Sequence, residues 1–521
     1  MKRFDVAIVG SGFAGTILAR ALNRRGRKVV LLERGRHPRF AVGESSTPLA
    51  AIALERLAAR YELPDLDRFA AYGRWMATYP DVRRGLKRGF TFYPHAAGEL
   101  LQPIPESRLL VAASPDDAVA DSHWLRADVD RFLVDRALAE GIEYRDRCTV
   151  QSVDETDNGL RLRGTWEGRR FEITAAFAVD ASGPAGVVAK AMGSETIDRP
   201  ARFRSGVVFG HFEGVRPLAE IWRDQGAIAE AGPYPDEAAA VHHLLDDGWV
   251  YVLPFDHDCV SAGLVLDRRS DSVDLEGAWE GALARHPTLA LQFEGARRLL
   301  PLESIDQLQF RRSRAVGARW AALPNVYAFF DPMFSTGIAW SLLGVERLAA
   351  LLSTTDAPDP QSLRKYELLL EAEADQMERL LYGAHLARRD FSLYAAHSQL
   401  YFALVSYEEV RQRIFDEDPG EPTWHPLLGA GDEWAEGLLS EAVFRLAESR
   451  STGDGDVARV AEYEGWVAES IAPRNIAGLA DTERRNLYPV DLELLVRRAE
   501  LLGLTGNEMR RLLPRLRGRH R

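Results

Sequence analysis

Gly10, Gly12 and Gly15 stand in the order Gly-x-Gly-x-x-Gly, directly after the apolar run Phe4 to Val9 and before the helical run Thr16 to Leu22. A strand, a tight turn and a helix in that order form a pyrophosphate cradle. Gly10 allows the turn, Gly12 lets the backbone approach the phosphates, and Gly15 lets helix and strand pack closely. Phe13 and Ala14 complete the turn. Lys28 to Leu32 reads as a second parallel strand ending in Glu33. A carboxylate about 20 residues beyond the glycines suits a ribose diol and disfavours a 2′-phosphate. Dinucleotide binding follows from these elements in register. An N-terminal signal segment does not, because glycines interrupt the apolar run and no small-residue cleavage site follows.

Three other stretches hold groups able to act on a substrate. Lys87 sits in Arg83-Arg84-Gly85-Leu86-Lys87-Arg88-Gly89. A lysine amine is a nucleophile when neutral and a donor when charged, although in isolation Lys87 reads as a surface residue of a basic stretch. Glu44 precedes Ser45-Ser46-Thr47-Pro48 and the amphipathic run Leu49 to Arg60, so capping that helix is one use for it. Asp331-Pro332 and Ser335-Thr336-Gly337 follow the apolar run Val326 to Phe330, expected as a strand, and open the helical run Ile338 to Leu352. Free N–H groups at such a helix start can hold an anion or a cofactor oxygen.

The elements that must position these groups indicate an α/β chain. At 521 residues it exceeds one simple core. After a helix ending near Glu140, Thr149 to Val153 and Leu160 to Trp166 read as meander strands, and Ala175 to Val179 as a buried strand closing on Asp180. Short strand-like runs fill residues 195–320, and the pattern beyond 356 is mostly helical, broken near Pro419 to Pro426 and near Pro473. The expected division is residues 1–350 as a dinucleotide-binding core carrying a β-rich substrate layer over about 195–320, and 351–521 as a helical cap. No internal repeat is visible.

Composition narrows the class. A net charge of −12 argues against general nucleic-acid binding. Cys148 and Cys259 are the only cysteines and form no Cys-x-x-Cys pair, so redox chemistry must come from a cofactor. No apolar stretch approaches membrane-spanning length, which makes the cytoplasm the expected location. The basic tail with Arg510, Arg511, Arg515, Arg517, Arg519 and Arg521 reads as a solvated helix end. His242-His243 with Asp246-Asp247 reads as a solvated loop, since adjacent histidines on a strand point apart and make a poor metal site. Tyr382, His385, Arg389, Tyr394, His397 and Tyr401 recur at helical spacing and read as interface packing.

With these motifs in order, the chain resembles the flavin-dependent halogenases, which share their fold with flavin monooxygenases. The resemblance is greatest to members acting on phenols and other free electron-rich aromatics. It rests on the glycine motif, Val42-Gly43-Glu44-Ser45-Ser46-Thr47-Pro48, Lys87-x-Gly89-x-x-Phe92, Gly248-Trp249-x-Tyr251-x-Leu253-Pro254, and Asp331-Pro332-x-x-Ser335-Thr336-Gly337. It implies a two-dinucleotide-binding, Rossmann-like flavoprotein monooxygenase fold. FAD would be delivered reduced by a separate flavin reductase, with O2 and chloride or bromide as co-substrates. Hypohalous acid would form and be held, or taken up as a chloramine, by Lys87.

The resemblance further implies that Arg39, Arg126, Asp331 and Gly337 join the glycine motif and Glu33 in binding FAD. Glu44 would act close to the flavin, the Thr336 and Gly337 amides would hold halide, and Trp249, Tyr251 and Pro254 would keep substrate away from the flavin. The substrate would be a small phenol- or pyrrole-like aromatic, free or carrier-tethered; a homodimer is compatible with this size. Two departures stand out. Tyr251 replaces the second tryptophan of the family's Trp-x-Trp-x-Ile-Pro segment, which leaves an aromatic monooxygenase as the alternative. Phe334 replaces the glutamate that tryptophan halogenases carry before Ser-Thr-Gly, which argues against free tryptophan.

Overall fold

The computed structural model describes residues 2–157, 159–197, 202–267, 274–355, 357–415, 424–449 and 457–516. The opening strand β1 (Lys2–Val9), helix α1 (Phe13–Arg24) and strand β2 (Val29–Leu32) form as their apolar pattern requires, with Val6 to Val9 parallel to Val29 to Leu32. On the other side of β1 lies Ile173 to Asp180, also parallel, and beyond it Trp320 to Ala322. This core sheet has eight strands among the described residues, the antiparallel strands Cys148–Thr156 and Gly159–Trp166 included.

The outer parallel strand is Trp320–Ala322. The run expected as a strand at Val326 to Phe330 instead begins with a helical turn at Pro324–Tyr327 and leaves only Ala328–Phe329 extended. Proline at the first helical position presets φ and lacks an N–H the turn does not need, so Pro324 diverts the chain after Leu323 bonds to Asp180.

A second sheet has nine strands among the described residues. Its centre is Gly89–Pro94, Ala240–Leu245, Gly248–Phe255, Cys259–Asp267 and Ser205–Glu213, so it also takes strands from outside 195–320. Alternate side chains point to opposite faces. Ala240, Leu244, Trp249 and Tyr251 join the main core, whereas Val241, Leu245, Val250 and Val252 pack under helices Leu218–Asp224, Leu275–Arg285 and Pro287–Phe293. Both faces are covered, which is why these strands read as continuous apolar runs.

His242 and His243 therefore lie on a buried central strand and not in a solvated loop. They do point apart: His242 stacks on Phe92 and Trp249, and His243 bonds His95 at 2.9 Å. The C-terminal region is built on helices Pro360–Ala387, Phe391–Phe415, Glu433–Ser449 and Val457–Ile471. Buried Glu373 fastens it to helix Thr336–Leu352 by accepting from Arg347 (2.6 and 2.9 Å) and Trp340 (2.7 Å). Residues 416–423, which include Pro419 and Pro422, and Arg517, Arg519 and Arg521 lie outside the described residues.

Candidate active site

The glycine turn is fixed by contact. Gly10 has φ +112°, and a Cβ there would stand 2.3 Å from the Ala181 carbonyl oxygen; no L-side chain fits. Gly12, at the N-cap of α1, has no side chain with which to cap the helix. Glu33 reaches back to the turn, accepting from Ser11 N and Oγ (3.1 Å each) and from Gly35 N (2.8 Å). Burial raises this carboxyl, but Arg39 at 3.5 Å and the donated hydrogen bonds outweigh it and hold Glu33 below its ordinary range.

Arg126 opens helix Arg126–Ala139 and folds over the same turn. It binds both oxygens of Asp130 (3.0 and 2.8 Å) and the carbonyls of Val42 and Gly43 (3.2 Å each), and lies 4.7 Å from the Phe13 ring centroid. Asp130 also takes the Phe13 N–H at 3.1 Å. Asp130 was missed in the sequence because it looked like one more charge on a helix.

Phe13, Val42, Gly43 and Arg126 border a cavity that continues past Glu44, Trp249 and Tyr251 to Asp331, Thr336 and Gly337. Glu44 does not cap α2 (Pro48–Tyr61): its carboxylate accepts from His211 Nε2 at 3.1 Å and from the Arg126 backbone N–H at 3.3 Å. Trp249 Nε1 donates to Asp331 at 3.3 Å, as do Ser205 Oγ (3.2 Å) and Met333 N (3.1 Å). Burial still pushes Asp331 up to about 6. At the start of helix Thr336–Leu352, Ser335 is left-handed (φ 51°) and no side chain caps the helix among the described residues, while a Cβ on Gly337 would enter open space. A tight glycine turn, the uncapped helix start at Thr336 and the open space beside Gly337 suit FAD.

Lys87 does not line this cavity; it stands behind Ser46, next to the lining residue Ser45. It ends strand Arg84–Lys87, which pairs antiparallel with Asp121–Trp124. Gly85 lets that strand press on the Trp249 to Pro254 segment, since a Cβ would fall 1.9 Å from the Pro254 carbonyl oxygen. The Lys87 amine is 0% exposed, donates to the Ser46 carbonyl at 2.7 Å and stands 4.0 Å over the Phe90 ring. Lys87 is thus no surface residue. Burial pushes its pKa down, and the Asp121 charge opposes that.

On the far side of Lys87 lies a second cavity, walled by Thr47, Phe90, Tyr401 and Phe402, with Glu409 and Asp491 among its polar groups. Ser45 lines the first cavity and Thr47 the second, so the Ser46 carbonyl that holds Lys87 lies between them. Phe334 stacks on Tyr401 at 4.7 Å, and its carbonyl accepts from the Tyr401 hydroxyl at 3.0 Å. Of the aromatic and histidine series on the cap, Tyr401 lines this cavity. Tyr394 packs on Phe92, His397 bonds Tyr463 and the Leu380 carbonyl, and Tyr382 and His385 face Phe203.

Fold and cavities together define a flavoprotein of the two-dinucleotide-binding class. The tryptophan halogenase family profile matches residues 122–400, and an NAD(P)-binding Rossmann-like domain matches residues 8–63. The chain belongs to the tryptophan halogenase family and is a flavin-dependent halogenase with FAD as its cofactor. It is similar to monodechloroaminopyrrolnitrin halogenase PrnC of Pseudomonas fluorescens, 28% identical over 77% of this chain and 71% of that enzyme. It is also similar to tetracycline 7-halogenase of Kitasatospora aureofaciens, 26% identical over 96% of this chain and 92% of that enzyme. The crystal structure of halogenase PltM in complex with phloroglucinol and FAD superposes with a TM-score of 0.82 at 20% identity, covering 93% of this chain and 99% of that one. Among the described residues no helix is long and apolar enough to cross a membrane.

Proposed function

We propose that the chain halogenates an electron-rich, phenol- or pyrrole-like small molecule, with Lys87 passing halogen from hypohalous acid to a ring held in the second cavity. The observation that carries this is the placement of the Lys87 amine in the wall between the two cavities, held by Ser46. Gly10, Gly12, Phe13, Ala14, Gly15, Glu33 and Arg39 hold the adenosine and pyrophosphate end of FAD; Arg126, Asp331 and Gly337 hold the flavin end. With O2 and halide, reduced FAD from a separate reductase supplies hypohalous acid. The uncapped amides of Thr336 and Gly337 hold the halide. Glu44, fixed by His211 and the Arg126 amide, keeps a carboxylate at the flavin-side cavity. Trp249, Tyr251 and Pro254 keep the ring away from the flavin.

The apolar second cavity, with Phe334 behind Tyr401, supports an uncharged ring that donates its own electrons. The names of the two relatives, which act on an aminopyrrolnitrin and a tetracycline, support the same class. We place the FAD-binding core at 1–350, with 351–521 closing the second cavity. The test is turnover with FAD, a flavin reductase, NADH and bromide on a panel of phenols and pyrroles, read by mass spectrometry. A bromine isotope doublet on panel members is the expected result. Gain of one oxygen without bromine would contradict it and move the chain to the aromatic monooxygenases.

A further inference from the structure

Across its strand Lys87 faces a carboxylate that the chemistry above does not use. Lys87 and Asp121 are direct partners in the antiparallel register, so their side chains leave the same face as neighbours. Asp121 is 5% exposed, and its Oδ2 is buried with no hydrogen-bond partner among the described residues. The Lys87 ammonium has three donors, and one of them meets the Ser46 carbonyl. No hydrogen bond or ion pair joins the two among the described residues, so opposite charges here, each short of hydrogen bonds, are poorly compensated where they stand. Sharing one proton neutralises both.

The charges that act on Asp121 besides Lys87 are Glu409 and Arg413, which push it in opposite directions. His123, on Asp121's own strand, and His242, on strand Ala240–Leu245, are held neutral by burial. Tyr401 is held protonated by burial. Glu409 and Arg413 of helix Phe391–Phe415 bond each other at 3.0 Å, and Arg413 reaches Glu55 at 3.4 Å. On the side away from Lys87, Asp121 borders a small cleft with Glu55, Arg74, Glu409 and Arg413, a polar route for protons.

We propose that Asp121 is the positioning residue and proton partner of Lys87, acting through that amine on the assignment made above that Lys87 carries the halogen. The ammonium turns from the Ser46 carbonyl to Asp121 and gives the carboxylate a proton. The amine lone pair then attacks the halogen of hypohalous acid, the O–X bond breaks with its pair on oxygen, and the departing hydroxide takes one N–H proton to leave as water. The ring's π pair next takes the halogen. The N–X pair returns to nitrogen, which receives the proton from Asp121. The free amine finally removes the ring proton, restoring ammonium and carboxylate.

The chain has five lysines, Lys2, Lys28, Lys87, Lys190 and Lys365, so the Lys87 Nζ signal of 15N-lysine-labelled holoenzyme can be followed by NMR. In wild type the Lys87 Nζ and Asp121 carboxyl signals should titrate together. In Asp121→Asn, loss of the negative charge should move the Lys87 midpoint down by about one pH unit or more. Halogenated product should fall about a hundredfold with FAD binding and flavin oxidation unchanged, and Asp121→Glu should restore most of it. Separate midpoints in wild type, or an unmoved midpoint with undiminished product in Asp121→Asn, would overturn the proposal. Lys87→Met run in parallel separates the two claims: product surviving there removes Lys87 from halogen transfer, whatever the titration shows.

Discussion

The glycine turn and the wall around Lys87 are both packed until a single Cβ would not fit, yet they treat polar groups in opposite ways. At Gly10 the close approach to Ala181 sets the start of α1, where Phe13 borders an open cavity. At Gly85 the close approach to Pro254 helps seal a lysine, an aspartate and two histidines from water. One region offers its charge to a cofactor. The other withholds charge, so that small changes in proton position alter reactivity.

Substitutions should separate the two regions, the largest effect coming from the turn. Gly10→Ala meets both a forbidden φ and a backbone oxygen, and FAD affinity measured by fluorescence quenching should fall a hundredfold or more. Unchanged affinity would mean that the turn does not carry the cofactor. Gly85→Ala should retain FAD but shift the Lys87 strand, with product formation down about tenfold; the pair of variants thereby distinguishes binding from transfer. Tyr251→Trp restores the family's second tryptophan next to Trp249. The ratio of halogenated to oxygenated product should rise a few-fold by mass spectrometry, and a falling ratio would contradict a role in exclusion.

The smallest effect is on stability against pH, where two buried histidines and a buried aspartate carry opposite signs. Burial holds His123 and His242 down at about 3 in the folded chain. Unfolding lets them take protons below about 6.5, so stability is lost as pH falls from there towards 3. Asp331 is pushed up to about 6, so it binds its proton more tightly when folded and adds stability as pH falls through that value. Denaturant midpoints between pH 7 and 4 should therefore fall less steeply in His242→Gln and more steeply in Asp331→Asn than in wild type.

The difference between the regions also decides what the sequence reveals. The cofactor half was legible because its requirements are local: three glycines, a short strand and Glu33 at fixed spacing build the turn by themselves. Lys87 was found through motif resemblance, but its surroundings were not, because they come from distant segments. Glu44 meets His211 across 167 residues, and Lys87 meets Ser46 across 41. His242 and His243 were misplaced because their strand is buried only through its neighbours, Gly89–Pro94 and Gly248–Phe255. Pro324 was a readable stop signal that the apolar run after it obscured.

The most direct test of the account is Lys87→Met assayed with reduced FAD, bromide and a reactive phenol, following flavin oxidation and bromophenol in the same sample. Flavin oxidation at the wild-type rate with bromophenol lost by a thousandfold or more is the predicted result. Bromophenol formed at the wild-type rate and position would contradict it.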